Sequence, residues 1–225
     1  QVKQSMQGDM LKLLELPRIE EDAELVDSAF KMFQLNQVEA KADHKLKEHL
    51  QKRLSKLNLE LDRYLAGEYG VTVEKQKDFD AWKASHQPFH WFVEFYGIMH
   101  NGGFDVIIGN PPYLERSKLA GAYSVIGLST GTCRDIYAWV VERAYQMRRL
   151  AGRLGLIVPV SLASSGSFDV LRDIVHAHSH FLWLSHFANR PGQLFVGAQN
   201  RLTIVLSSDG ESGGETYSTR YHRWD

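Results

Sequence analysis

Leucines set the first half of this chain. Leu46, Leu50, Leu54, Leu57, Leu61 and Leu65 recur at spacings of four and three, with Lys, Glu and Asp between them. That period keeps one apolar stripe on a helix, predicted over about 38–66 and stopped by Gly67 and Gly70. An earlier stretch, 20–35, repeats the pattern with Leu25, Ala29, Met32 and Phe33 on one face. Residues 1–19 show no clear period, and Pro17 separates Leu11–Leu16 from that stretch. Two adjacent amphipathic helices predict an α-helical hairpin over 1–70, packed on itself. The same stripe is compatible with a coiled coil that recruits a protein partner.

Beyond residue 100 the period changes to short apolar runs bounded by glycine and proline. Val106–Ile108, Leu156–Val160, Leu182–Leu184 and Leu202–Leu206 read as strands. Between them Asp135–Arg149 reads as a helix, apolar at Ile136, Trp139, Val140 and Ala144, with Thr132-x-x-Asp135 as a capping box. Arg143, Arg148, Arg149 and Arg153 fall near its carboxyl end, where cations favour the helix dipole. A further helix opens at Ser167–Arg172. Strands alternating with helices predict an α/β unit over 101–207, with 104–109 and 155–160 as central strands. Residues 71–100 form a connector rich in aromatics, among them Phe79, Trp82, Phe89, Trp91, Phe92, Phe95 and Tyr96, expected to pack on the sheet as a buried edge. Leu114–Gly131, at roughly 18 residues, is long for a compact domain and reads as a mobile or functional loop, a lid or DNA-contacting element, or as an irregular surface loop. Residues 208–225 form a polar tail.

Composition narrows the class. At 225 residues, 44% hydrophobic and 24% charged, the chain is ordinary for a soluble globular protein. No apolar run reaches the roughly 18 residues of a membrane span and no signal peptide is visible, so a cytoplasmic location is expected. The single cysteine, Cys133, excludes an intramolecular disulfide and is expected to be a small loop or core residue. Net charge is −1, without the basic excess of a chain that grips duplex DNA unaided. His176, His178 and His180 alternate, but no cysteine or carboxylate completes a metal set, and a solvated helix end is expected. Gln1 in place of Met points to a fragment or a processed product.

The stretch with most chemistry is Phe104-Asp-Val-Ile-Ile-Gly-Asn-Pro-Pro-Tyr113. Two prolines end the strand, because neither donates to a ladder. Asn110 offers a side-chain acceptor, Pro111 a rigidly aimed carbonyl and Tyr113 a flat π-face, at the carboxyl end of a strand where α/β sheets place ligands. Two acceptors beside an aromatic plate suit an amino group on a flat heterocycle such as adenine.

Asn110-Pro111-Pro112-Tyr113 after a hydrophobic strand resembles the catalytic motif of S-adenosylmethionine-dependent amino-methyltransferases, chiefly the DNA adenine-N6 methyltransferases. The likeness covers about 86–207. It extends through Arg134-Asp135-Ile136-Tyr137, the strand at 155–159 and Phe168-x-x-Leu171-Arg172, and is nearest to the large methylase subunits of bacterial restriction-modification and phage-defence systems. It implies a partial Rossmann-like methyltransferase sheet preceded by a helical insertion. It implies catalytic roles for Asn110, Pro111, Pro112 and Tyr113, stacking of the target base by Tyr113 and Phe195, and a contact from Pro112 to S-adenosylmethionine. It implies no metal, and double-stranded DNA as partner through other parts of a larger protein. One departure matters: no strand followed by a glycine-rich cofactor loop precedes residue 100, so the main cofactor site is expected outside this chain. Three rivals fit the residues: a methyltransferase of protein glutamine or RNA bases, a non-catalytic binding module, and a scaffold whose helical hairpin does the work.

Overall fold

Helix α1, His44–Glu68, carries the leucine stripe. The computed structural model describes residues 24, 44–119, 125–189, 194–195, 200–209 and 214–220, in two units dividing between Asn101 and Gly102. In the first unit α1 is followed by α2 (Gln76–His86), α3 (Trp91–Glu94) and α4 (Tyr96–His100). Leu57 is buried with Val93 and Tyr96, and Ala66 with Phe79 and Trp82. The buried Asp62 carboxylate lies 2.6 Å from Lys83 Nζ and 2.8 Å from His90 Nε2, tying α1 to α2 and to the turn before α3. Residues 71–100, expected as an aromatic connector, hold three helices. The other helix expected in the hairpin, over 20–35, lies outside the described residues apart from Glu24, which is helical.

The aromatics divide in a way the sequence does not predict. Phe79, Trp82 and Tyr96 are buried against α1, whereas Phe89, Trp91 and Phe95 are exposed and cluster with ring centroids 4.9–6.3 Å apart, Trp91 stacked on Phe95 and Phe89 edge-on to Trp91. Only the first group supplies core.

The second unit is a five-stranded sheet in the order β1-β2-β4-β3-β5. Its strands are β1 (Phe104–Gly109), β2 (Arg148–Pro159), β3 (Phe181–Phe187), β4 (Leu202–Ser208) and β5 (Glu215–Ser218). Helices α5 (Tyr137–Met147), α6 (Ser161–Ser164) and α7 (Asp169–Ala177) lie between β1 and β3 in the chain. β1 runs parallel to β2, β4 antiparallel to both β2 and β3, and β5 parallel to β3. One sheet face supplies Leu154, Leu156, Val158, Leu182 and Val205 to a core completed by Tyr137, Val141, Leu171 and Val175 from α5 and α7. Each of those strands points alternate residues there, as a period of two requires.

The other face is open among the described residues. Val106 is 56 % and Ile108 78 % exposed, and Leu206, Trp183 and Tyr217 continue the same surface across the sheet. The run Val106-Ile107-Ile108 is therefore a strand, but one buried on only one side. β1 is also the edge of the sheet rather than a central strand, since among the described residues it pairs only with β2.

Three further boundaries differ from expectation. Helix α5 begins at Tyr137 without a side-chain cap, because Asp135 pairs with Glu115 across an isolated bridge and the Ile136 amide donates to the Leu114 carbonyl. The arginines expected at the helix end lie in β2 instead, apart from Arg143. β2 starts at Arg148 and bulges: two steps along β1, from Phe104 to Val106, span five along β2, from Arg148 to Arg153. Ala151 there has φ 62°, and a Cβ on Gly152 would stand 2.7 Å from Arg148 Cγ. The polar tail contains β5, whose four residues are all exposed and so give no alternation to read.

Candidate functional site: the turn after β1

β1 ends where Gly109 pairs with Leu156 of β2, and the chain then turns through Asn110, Pro111 and Pro112. Pro111 is buried, which anchors the turn, while Asn110 and Pro112 stay exposed. Tyr113 reaches back across the strand ends. Its ring packs half-buried against the main core, and its hydroxyl donates to the Ile157 carbonyl at 2.9 Å and to Asn110 Oδ1. Burial raises the phenol above its ordinary pKa, so the proton stays on the oxygen at neutral pH. Three of the expected groups, Asn110, Pro111 and Tyr113, thus gather at one strand end. Phe195 is 39 % exposed and makes no ring contact with Tyr113 among the described residues.

The loop after Tyr113 is closed at its neck. The Arg116 amide donates to the Arg134 carbonyl at 2.7 Å, Glu115 bridges Asp135, and Arg134 Nη2 bonds Glu115 Oε1 at 2.6 Å. The Arg134 guanidinium holds the Glu115 carboxyl below its usual range. Further in, Glu142 of α5, buried, accepts the Ser129 amide at 2.9 Å, the Thr130 amide at 2.8 Å and the Thr130 hydroxyl at 2.7 Å. The Trp139 indole donates to the Thr130 carbonyl at 3.1 Å. Sequence reasoning misses Glu142, since a glutamate on a helix reads as a solvated residue. Residues 120–124 of the loop lie outside the described set.

Cys133 sits in the core with its thiol pushed up by burial, and so offers no thiolate for covalent base chemistry. His176 and His178 are exposed at the end of α7 and beyond it, and His180 is half-buried. Among the described residues no group of three His, Cys, Asp or Glu side chains is arranged to hold a metal, and no helix is long and apolar enough to cross a membrane.

S-adenosylmethionine needs a strand leading into a glycine-rich turn. Among the described residues, the glycines before β1 do not provide one. Gly67 lies in the last turn of α1 and Gly70 just beyond it. A Cβ on Gly103 would stand 2.2 Å from the Met147 carbonyl oxygen, so that glycine admits backbone rather than ligand. Among the described residues, none before β1 composes a glycine-rich cofactor turn.

The second unit is thus a mixed α/β sheet, partly Rossmann-like, with an Asn-Pro-Pro-Tyr turn at the carboxyl end of β1. The profile of the Eco57I restriction-modification methylases matches residues 15–195, and the chain belongs to that family. It is 34% identical over 121 residues to a Methanocaldococcus jannaschii protein described as a "putative type II restriction enzyme and methyltransferase". The match covers 53% of this chain and 10% of that relative, so the chain spans about a tenth of its length. Among solved structures it is similar to a nuclease-deletion mutant of the Type ISP restriction-modification enzyme LlaGI bound to a DNA substrate mimic. There the TM-score is 0.43 and the identity 18%, over 56% of this chain and 15% of that one. It is also similar to the DrdV–DNA complex, with a TM-score of 0.38 and 15% identity over 51% of this chain and 14% of that one.

Proposed function

We propose that this chain is the catalytic half of a site-specific DNA adenine-N6 methyltransferase whose methyl donor is S-adenosylmethionine. The observation that carries the reading is the pairing of an amide acceptor, Asn110, with an aromatic ring, Tyr113, on the turn after β1. In this reading the target adenine leaves the duplex and stacks against Tyr113 and Phe195. Asn110 Oδ1 and the Pro111 carbonyl accept the two hydrogens of its exocyclic amine. Those bonds draw the nitrogen out of conjugation and free its lone pair, so preorganised dipoles supply the catalysis. The duplex is held by other parts of the protein, in keeping with a net charge of −1 here. A protein partner at the leucine-striped helices and a cytoplasmic setting complete the reading.

Asn110→Ala in a polypeptide that joins this chain to a cofactor-binding half tests it. Single-turnover methyl transfer is expected to fall about 10²–10³-fold, the typical worth of one preorganised contact, with DNA affinity unchanged. Transfer at the unmodified rate sinks the adenine-amine reading. A second reading, a non-catalytic binding module, draws support from the packing role of Gly103; it predicts that the joined polypeptide transfers no methyl group at all.

A further inference from the structure

We propose that the Tyr113 hydroxyl is the positioning group of the Asn110–Tyr113 turn, standing in for the backbone N–H that Pro111 lacks and so fixing the plane of the ring. Use of that ring as a plate for a base rests on the methyltransferase reading; its placement does not. The Val160 amide donates to the Arg201 carbonyl at 2.9 Å, one step beyond the pairing of Pro159 with Leu202. In an antiparallel pair such bonded positions recur at every second residue. Val160, Val158 and Leu156 therefore turn their peptide groups toward β4, and Ile157 between them turns its own toward β1. Gly109 stands opposite Leu156. Continued two residues, that register sets position 111 opposite Val158, where its N–H would meet the Ile157 carbonyl. Proline has no N–H to give. The Tyr113 hydroxyl donates to that carbonyl instead, at 2.9 Å. A phenol carries one proton, and Asn110 beside it is exposed, where water can serve its oxygen. The carbonyl is the acceptor that depends on Tyr113. The ring is packed on the core and its oxygen is tied to β2, so Tyr113 is held at both ends. A plate held in this way loses little freedom when a flat group stacks on it. Phenylalanine at 113 would keep the π-face but leave the carbonyl unserved.

The test is a double-substitution cycle on the full 225-residue chain, read by urea unfolding. Tyr113→Phe alone is expected to raise the unfolding constant about 2- to 10-fold, the range of one net hydrogen bond. Pro111→Ala restores an N–H at the position opposite Val158. In that background Tyr113→Phe is expected to change the constant by less than about 2-fold, because the restored amide serves the Ile157 carbonyl. Amide exchange in the doubly substituted chain gives a second readout: the hydrogen at position 111 is expected to be protected like those of the β1–β2 ladder. An equal cost of Tyr113→Phe in both backgrounds overturns the proposal, as does an amide at 111 that exchanges as freely as one in an exposed loop. Should Pro111→Ala unfold the chain, Tyr113→Phe alone decides through the carbon-13 resonance of the Ile157 carbonyl. Loss of the donor is expected to move that resonance upfield, and an unmoved resonance overturns the proposal. None of these readouts involves adenine, so failure here leaves the amine-acceptor reading to its own test, Asn110→Ala in the joined polypeptide.

Discussion

Glu142 is the residue whose loss reaches furthest beyond its own position. Its buried carboxylate accepts three hydrogen bonds from Ser129 and Thr130, and so fixes the far end of the loop that starts beside Tyr113. Glu142→Gln keeps the size but replaces one acceptor oxygen with an NH2 that faces donors. A buried donor left facing a donor costs about 1–3 kcal/mol. A urea-unfolding midpoint lowered by that amount at unchanged slope is expected; an unchanged midpoint would mean that solvent already serves these amides. At this scale the turn at Asn110–Tyr113 was legible, because its residues are contiguous and two prolines force a turn wherever they fall. Glu142 was not legible, since its partners come from a separate segment and no pattern in the helix announces them. Phe195 was read from resemblance alone.

Among the elements, the junction of β3, β4 and β5 turns on His186. Its Nδ1 lies 2.8 Å from Thr203 Oγ1 of β4 and its Nε2 3.1 Å from Ser218 Oγ of β5. Burial lowers its pKa below the ordinary 6.5. The folded state thus favours the neutral ring. Stability from this group is full above pH 6.5 and is lost as pH falls toward the folded pKa, because there the unfolded chain takes up the proton first. Thermal unfolding at about pH 7.5 and about pH 5.5 should show a smaller drop in His186→Gln than in the unmodified chain. An equal drop in both proteins would place the pH dependence elsewhere. β5 itself escaped the sequence because all four of its residues face water. β1, β3 and β4 were readable from apolar runs, whereas the start of β2 hid behind arginines and a bulge. The leucine helix was plain from its spacing.

For the molecule as a whole, the sheet unit leaves one face and the β1 edge beside it uncovered among the described residues. The sequence does not reveal this, since Val106-Ile107-Ile108 reads as buried on both sides and only the topology shows which side is filled. A parallel strand pair is ordinarily covered on both faces, and an uncovered edge beside an apolar surface pairs with other chains. The isolated chain is expected to sediment as larger species as its concentration rises. Ile108→Lys, at a position 78 % exposed, should hold it monomeric without lowering its unfolding temperature. If the variant and the parent sediment alike, this surface is not what drives association. The loop leaving Tyr113 has a different consequence. Its neck is stitched by Arg116 to Arg134, Glu115 to Asp135 and Ile136 to Leu114, and its far end is knotted at Thr130. Since doubling the length of a closed loop costs only about 0.6 kcal/mol, the stretch inside is an exchangeable cassette. It can lengthen or change its sequence without refolding the Asn110–Tyr113 turn.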